Sequence, residues 1–94
     1  MIRTFKCKDT EKLFNDISIK RFSAISRAAR IKLEMLNAAV SLQSLRVPPG
    51  NRLEQLRGNR KGQHSIRIND QWRICFTWNK TDAYDVEIVD YHKG

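Results

Sequence analysis

Three residues near the end of the chain, Asp90, Tyr91 and His92, follow an apolar strand pattern and could all move protons. Two arginines, Arg67 and Arg73, stand on either side of the polar turn Asn69-Asp70-Gln71. The stretch from His64 to Trp78 alternates at period two on both arms of that turn, as a half-buried hairpin does. A three-residue loop pairs Ile68 with Trp72, Ile66 with Ile74 and Arg67 with Arg73. A two-residue loop would put the two apolar sets on opposite sides, because a slip of one residue flips every side chain. The longer loop is therefore expected. It sets two like charges across from each other, which destabilises a strand pair. Two readings stand: Arg67 splays away into water, or the pair grips an anion, for which phosphate suits two planar forks.

The charge of the chain bears on that choice. Formal net charge is +8 over 94 residues, and a pI near 10 points to a polyanionic partner. From Arg46 to Arg73 there are seven basic residues (Arg46, Arg52, Arg57, Arg60, Lys61, Arg67, Arg73) against Glu54 and Asp70. A solvated basic surface is the plain reading of such a run. Its concentration around a paired-arginine hairpin favours nucleic acid, with Arg57, Arg60, Lys61 and Arg67 as the RNA-binding set. Cleaving RNA needs a base for the 2′-hydroxyl proton, an acid for the leaving 5′-oxygen and cations on the pentavalent phosphate. Proton transfer contributes about 10²–10⁴-fold and oriented charge a similar amount. No metal or other cofactor is required. Two histidines without a cysteine or carboxylate at ligand spacing do not make a zinc site, and no Walker-type glycine loop is present.

The elements that must position these groups follow from the pattern. A single domain spanning 1–94 is expected, large enough for one modest core. Ile2 to Cys7 is expected as a first strand, and Asp9 or Thr10 as the cap of a short helix carrying Leu13, Phe14 and Ile17. Ser23 is expected to cap a longer helix reaching about Val40, with Ile25, Ala29, Leu33, Leu36 and Val40 on its apolar face. A further helical turn is expected in Ser41 to Arg46. Val47-Pro48-Pro49-Gly50-Asn51 breaks the chain, and Arg52 to Arg57 resumes as a bulged strand. A glycine-bracketed loop, Gly58 to Gly62, lifts Arg60 and Lys61 at its tip, and the last strand covers Tyr84 to Tyr91. The order implies an α+β fold, with two N-terminal helices on one face of a largely antiparallel, twisted sheet. The other face, bearing Arg67 and Arg73, is left open. His64 shares the Ile66 side and is read as a core or edge histidine. Parity on the last strand separates Tyr91 from Asp90 and His92, so all three share one pocket only if the chain leaves the sheet early.

Cys7 and Cys75 are too few and too distant for a disulfide framework, and Cys75 is expected as a small core residue. No apolar run approaches a membrane span and no leader opens the chain, so a reducing, cytoplasmic location is expected.

The run Arg-Leu-Glu-Gln-Leu-Arg-Gly-Asn-Arg-Lys-Gly-Gln-His-Ser-Ile-Arg-Ile-Asn-Asp-Gln-Trp-Arg-Ile-Cys-Phe, with the closing Asp-Val-Glu-Ile-Val-Asp-Tyr-His, resembles the HigB branch of the RelE/ParE toxin superfamily. The likeness extends over nearly the whole chain. It implies a RelE-like fold and a ribosome-dependent mRNA endonuclease that cuts translated message in the ribosomal A site. It also implies a helix-turn-helix antitoxin, HigA-like, through which alone operator DNA would be bound. Carried over by residue, it implies that Asp90, Tyr91 and His92 contribute to catalysis and that Arg73 contacts the scissile phosphate. Arg67 and Arg57 fall at further basic positions of the pocket. Glu54 departs from the pattern, standing where some relatives have a histidine in the strand before the glycine loop. It is either a base or a salt-bridge partner of Arg73 or Arg57, and either way implies a slower nuclease. A gyrase-poisoning branch of the superfamily and a non-catalytic RNA- or DNA-binding module are the alternatives.

Overall fold

A computed structural model describes residues 1–91. The second half of the chain is an antiparallel meander of four strands in sequence order. They are β1 (Glu54–Gln55), β2 (His64–Arg67), β3 (Trp72–Asn79) and β4 (Asp82–Asp90). The β2–β3 register is the expected one, with Ile66 opposite Ile74 and Arg67 opposite Arg73. Asn69 sets the turn: its Oδ1 accepts from the backbone N–H of Gln71 and of Trp72, each at 2.8 Å. The side chain thereby stands in for a backbone acceptor, which is why Asn is favoured at such positions. The ladder closes with Ile68 N–H donating to the Trp72 carbonyl at 2.9 Å.

One irregularity keeps β4 amphipathic. The pairing shifts by one residue between Cys75 and Thr77, where Asp85 takes a positive φ of 54°. The bulge returns Ala83, Val86 and Ile88 to the same buried side. It also accounts for a departure at the N-terminus. Ile2 to Cys7 is not a continuous strand but makes two isolated parallel bridges, Ile2 with Ala83 and Phe5 with Val86. Between them the Asp85 N–H turns out of line and donates to Thr4 Oγ1 at 2.8 Å, so the ladder is interrupted.

Two helices cover one face, α1 (Lys8–Phe14) and α2 (Ser26–Ala38). Neither starts as expected. Cys7 is the N-cap of α1, without a side-chain cap. Thr10 lies inside the helix, fully buried, and its Oγ1 accepts the Ile88 N–H at 3.0 Å. That hydroxyl is needed for tertiary pairing, because a buried strand N–H without a partner costs about 1–3 kcal/mol. Ahead of α2, Lys20–Phe22 forms a 3₁₀ turn that drives Phe22 into the core, so the helix begins three residues after Ser23. It also ends early: Ala39 is extended and Val40 is 73% exposed rather than part of the apolar face. Leu42–Arg46 is a 3₁₀ turn capped by Ser41, whose Oγ accepts from Ser44 N at 3.2 Å.

The core lies between the helices and the sheet. Leu13, Phe22, Ala29, Leu33 and Leu36 meet Ile66, Ile74, Phe76, Val86 and Ile88, all at most 3% exposed. Phe22 packs edge-on against Trp72 with ring centroids 5.5 Å apart. Among the described residues no helix is long and apolar enough to cross a membrane.

The strand expected over Arg52 to Arg57 shrinks to the two residues of β1. The cause is local. Asn51 is completely buried, donating from Nδ2 to the carbonyls of Leu45 at 3.0 Å and Val47 at 3.3 Å. Arg52 then takes a left-handed φ of 45°, which no ladder accommodates.

Candidate active site

On the face away from the helices, residues directly opposite one another form two rows. One runs Glu54, Ser65, Cys75, Glu87 from β1 to β4; the next runs Arg67, Arg73, Val89. Tyr91 follows Val89 on the same parity, and its N–H donates to the Gln71 carbonyl at 2.6 Å, which keeps it aligned with the sheet. Arg73 is the centre of this surface. Its side chain is only 12% exposed. A guanidinium stays charged, so a sheltered one requires acceptors. Nε donates to Ser65 Oγ at 2.8 Å and Nη2 to the Arg52 carbonyl at 2.6 Å. The left-handed turn at Arg52 thus delivers a carbonyl to the fork. Glu54 Oε1 lies 3.9 Å away, and the Tyr91 ring sits beside the cation, its centroid 5.7 Å from Cζ.

Tyr91 and Cys75 complete the group. The Tyr91 hydroxyl is 3.8 Å from Cys75 Sγ. Burial pushes the Tyr91 phenol above its ordinary value, as does the neighbouring thiol, while Arg73 and Ser65 pull the other way. The result is a protonated phenol at neutral pH, beside a cation. Cys75 is fully buried, as expected, but not in the core: it lies beneath Tyr91 on the opposite face of the sheet. Burial raises its pKa, so it is a thiol there.

The two arginines do not share one anion site by themselves. Arg67 turns to the hairpin loop and pairs with Asp70 at 2.5 Å, whereas Arg73 turns towards β1. Like charges across a strand pair diverge where each finds its own acceptor. The Arg67 guanidinium in turn holds the exposed Asp70 carboxyl below its usual range.

The remaining expected residues divide. Arg60 is not a free cation at a loop tip. Its Nη1 donates to Glu87 Oε1 at 2.9 Å and to Gln63 Oε1 at 3.0 Å, bracing the loop against β4, and the Glu87 bond raises its pKa further. Arg57 and Lys61 are exposed and line a cleft of about 470 Å³ with Gln55, Leu56 and Gly58. Positive φ values at Gly58 and Gly62, 63° and 93°, shape the loop around it. Asp90 lies on the alternate parity, opposite Trp72, and its Oδ2 accepts from Gln71 Nε2 at 3.1 Å. His92 lies outside the described residues. His64 stacks on the buried Phe76 across the strand pair, centroids 5.9 Å apart, and burial lowers its pKa.

Glu54, 56% exposed at its side chain and within ion-pair reach of Arg73, is placed as a partner of that cation. Its removal should strengthen the field that Arg73 presents to a phosphate. Glu54→Ala is expected to raise the rate of phosphodiester cleavage about two- to tenfold, and Glu54→His at least as much. Single-turnover rates of the three proteins on the same RNA substrate check this; a slower Glu54→His would overturn it.

Sequence reasoning passed over Ser65 and the Arg52 carbonyl. Ser65 could have been found, since it shares parity with Arg67 amid large residues. The carbonyl could not, because its direction follows from the buried Asn51.

Fold and site together define a small α+β protein of RelE-like architecture with a cation at the centre of its open sheet face. The backbone is similar to that of YafQ from E. coli, with a TM-score of 0.65 at 13% identity, covering 99% of this chain and 94% of that one. It is also similar to the YoeB–YefM complex from Staphylococcus aureus, with a TM-score of 0.57 at 19% identity and 98% of each chain covered. Residues 3–92 match the family described as the RelE-like toxin of type II toxin–antitoxin system HigB. The chain is 46% identical over 95 residues to Toxin HigB-1 of Vibrio cholerae, covering 99% of both. It is 32% identical over 98 residues to Endoribonuclease HigB of Proteus vulgaris, covering 98% of this chain and 100% of that protein. The chain belongs to the HigB-like toxin family, and as a toxin of a type II system its partner is an antitoxin.

Proposed function

We propose that this toxin is a ribosome-dependent mRNA endonuclease acting in the cytoplasm on translated message in the A site. The observation that carries the reading is Arg73, sheltered and held by two oxygens, with a protonated Tyr91 against it on an open basic face. The name of the Proteus vulgaris relative, an endoribonuclease, supports it.

In the proposed reaction the 2′-oxygen attacks the adjacent phosphorus as the bond to the 5′-oxygen breaks. A cyclic 2′,3′-phosphate and a 5′-hydroxyl result. One proton leaves the 2′-hydroxyl and one reaches the departing oxygen, so no metal or cofactor is consumed. Arg73 presents the Nη1 edge of its fork to a non-bridging oxygen, the remaining edge being taken by protein acceptors. Tyr91 supplies a proton donor at that phosphate and His92 is proposed for the other proton transfer, while Asp90, on the alternate parity, accepts from Gln71 and supports the turn to which the Tyr91 backbone is bonded. Arg67, Arg57 and Lys61 hold the RNA backbone or ribosomal RNA. The ribosome positions the message, so a shallow enzyme supplies only charge and proton transfer. The antitoxin is HigA-like, with a helix-turn-helix, and carries the contact to operator DNA.

Purified toxin added to translating ribosomes should produce codon-phased 5′ ends on the message and none on the same RNA without ribosomes. Because several phosphates are neutralised, cleavage should fall steeply between about 50 and 200 mM salt. Equal cutting of free RNA, salt-independent cutting, or DNA breaks without RNA cuts would each sink the reading, the last in favour of gyrase poisoning.

A further inference from the structure

Among the described residues three polar side chains are fully buried, Thr10, Ser65 and Asn51. Thr10 serves the Ile88 N–H and Ser65 the Arg73 fork, whereas Asn51 lies between α2 and the turn at Arg52. Its amide is engaged at both ends. The half-buried Lys32 of α2 donates from Nζ to Asn51 Oδ1 at 2.5 Å. Asn51 Nδ2 donates to the carbonyls of Leu45 at 3.0 Å and Val47 at 3.3 Å, with Met35 Sδ, also on α2, at 3.1 Å. The Asn51 N–H donates to the Pro48 carbonyl at 2.9 Å. Moving a buried amide so engaged leaves donors and acceptors unpaired, which fixes its place.

The next residue, Arg52, is left-handed at φ 45° and ψ 54° without being glycine. Such a conformation persists only where the surroundings impose it. Here they are the bonds of Asn51 and the Arg52 N–H, which donates to the Pro49 carbonyl at 3.1 Å. The same turn aims the Arg52 carbonyl at Arg73 Nη2, 2.6 Å away. Lys32 and Arg73 are thus joined by two hydrogen bonds and the chain between the Asn51 amide and the Arg52 carbonyl.

We propose that Asn51 and Lys32 are positioning residues for Arg73, holding the Arg52 turn from the helical layer so that its carbonyl fixes one arm of the guanidinium. When either is lost, the turn relaxes from its left-handed form and the carbonyl leaves Nη2. The fork is then held by Ser65 alone, and Nη1 no longer meets the phosphate in one fixed direction. Asn51 is completely buried and touches no substrate. This rests on the endonuclease reading for its rate effect but not for its geometry.

The test uses the full chain and a double-mutant cycle. Asn51→Asp keeps the acceptor for Lys32 but removes the donors to Leu45 and Val47. It should lower the single-turnover cleavage rate at saturating ribosomes about 10- to 100-fold, the range a small misplacement of reacting groups causes. Lys32→Met, which leaves those donors in place, should lower it about three- to tenfold. In an Arg73→Ala background either change should alter the remaining rate less than about twofold, because both act through that guanidinium. An equal loss in both backgrounds overturns the proposal, since general loosening of the fold does not depend on Arg73. A second readout needs no cleavage. With the guanidinium nitrogens labelled with ¹⁵N, the Arg73 Nη2 hydrogens should give separate NMR signals in the parent and averaged ones in both variants. Arg73→Ala assigns them. Unchanged signals in the folded variants overturn the proposal; should Asn51→Asp fail to fold, Lys32→Met decides by the same two readouts. Averaged signals in the variants of a parent that cuts no RNA would sink the endonuclease reading and leave the positioning role standing.

Discussion

Arg73→Ala should lower cleavage of ribosome-bound message about 10²- to 10³-fold, the scale of losing one preorganised charge at a phosphoryl centre. The site explains why a lysine would not rescue it. Arg73 uses Nε for Ser65 and Nη2 for the Arg52 carbonyl, so Nη1 is the nitrogen that neither oxygen engages. One ammonium on a flexible stem cannot hold both protein oxygens and a phosphate oxygen in one fixed geometry. Arg73→Lys is therefore expected within about tenfold of Arg73→Ala. Arg67→Ala should cost less than about tenfold, since that guanidinium is engaged with the exposed Asp70 at the hairpin turn. Single-turnover rates at saturating ribosomes measure all three. A loss at Arg67 equal to that at Arg73 would restore the shared two-arginine site that the pairing of Arg67 with Asp70 argues against.

Phe22→Ala should remove about 3–5 kcal/mol of stability, the usual cost of truncating a fully buried phenylalanine. That is a large share of the roughly 5–15 kcal/mol available to a domain of this kind. Phe22 is 0% exposed and closes the core against Trp72, so the cavity would open between the 3₁₀ turn before α2 and the hairpin that carries Arg73. Each kcal/mol lost should lower the thermal midpoint by about 4–8 °C in a chain of this size. Val40→Ala, at a position 73% exposed, should leave the midpoint within about a degree or two. Urea or thermal unfolding of the two variants distinguishes a core role for Phe22 from a peripheral one; equal midpoints would contradict it.

The two expectations rest on different parts of the chain, and those parts differed in how far they could be read beforehand. The hairpin was legible because its alternation leaves one register that keeps Ile66, Ile68, Trp72 and Ile74 on a single side, and the structure adopts it. Helix boundaries were less so. Thr10 and Ser23 both have the chemistry of caps, yet Thr10 is drawn into the core to satisfy Ile88 N–H, and the turn that buries Phe22 delays α2 past Ser23. In each case a tertiary contact outweighed a local preference worth about 1 kcal/mol. Charge was the least legible property. Arg60 and Arg67 look alike in the sequence, as loop and hairpin cations, but Glu87 and Asp70 bind them separately.

Period-two alternation, the amphipathic helices and the long motif from Arg52 to Phe76 are enough to determine the α+β class, the uncovered sheet face and the family. Those properties depend on where each side chain stands along its own element, which spacing specifies. The direction of each guanidinium, the exchange of Arg60 from a loop cation to a brace, and the meeting of Arg73, Ser65, Cys75 and Tyr91 were decided only when four strands and a left-handed turn came together. A charged or polar atom settles on whichever partner the assembled backbone brings within about 3 Å, and most of those partners lie far away along the chain.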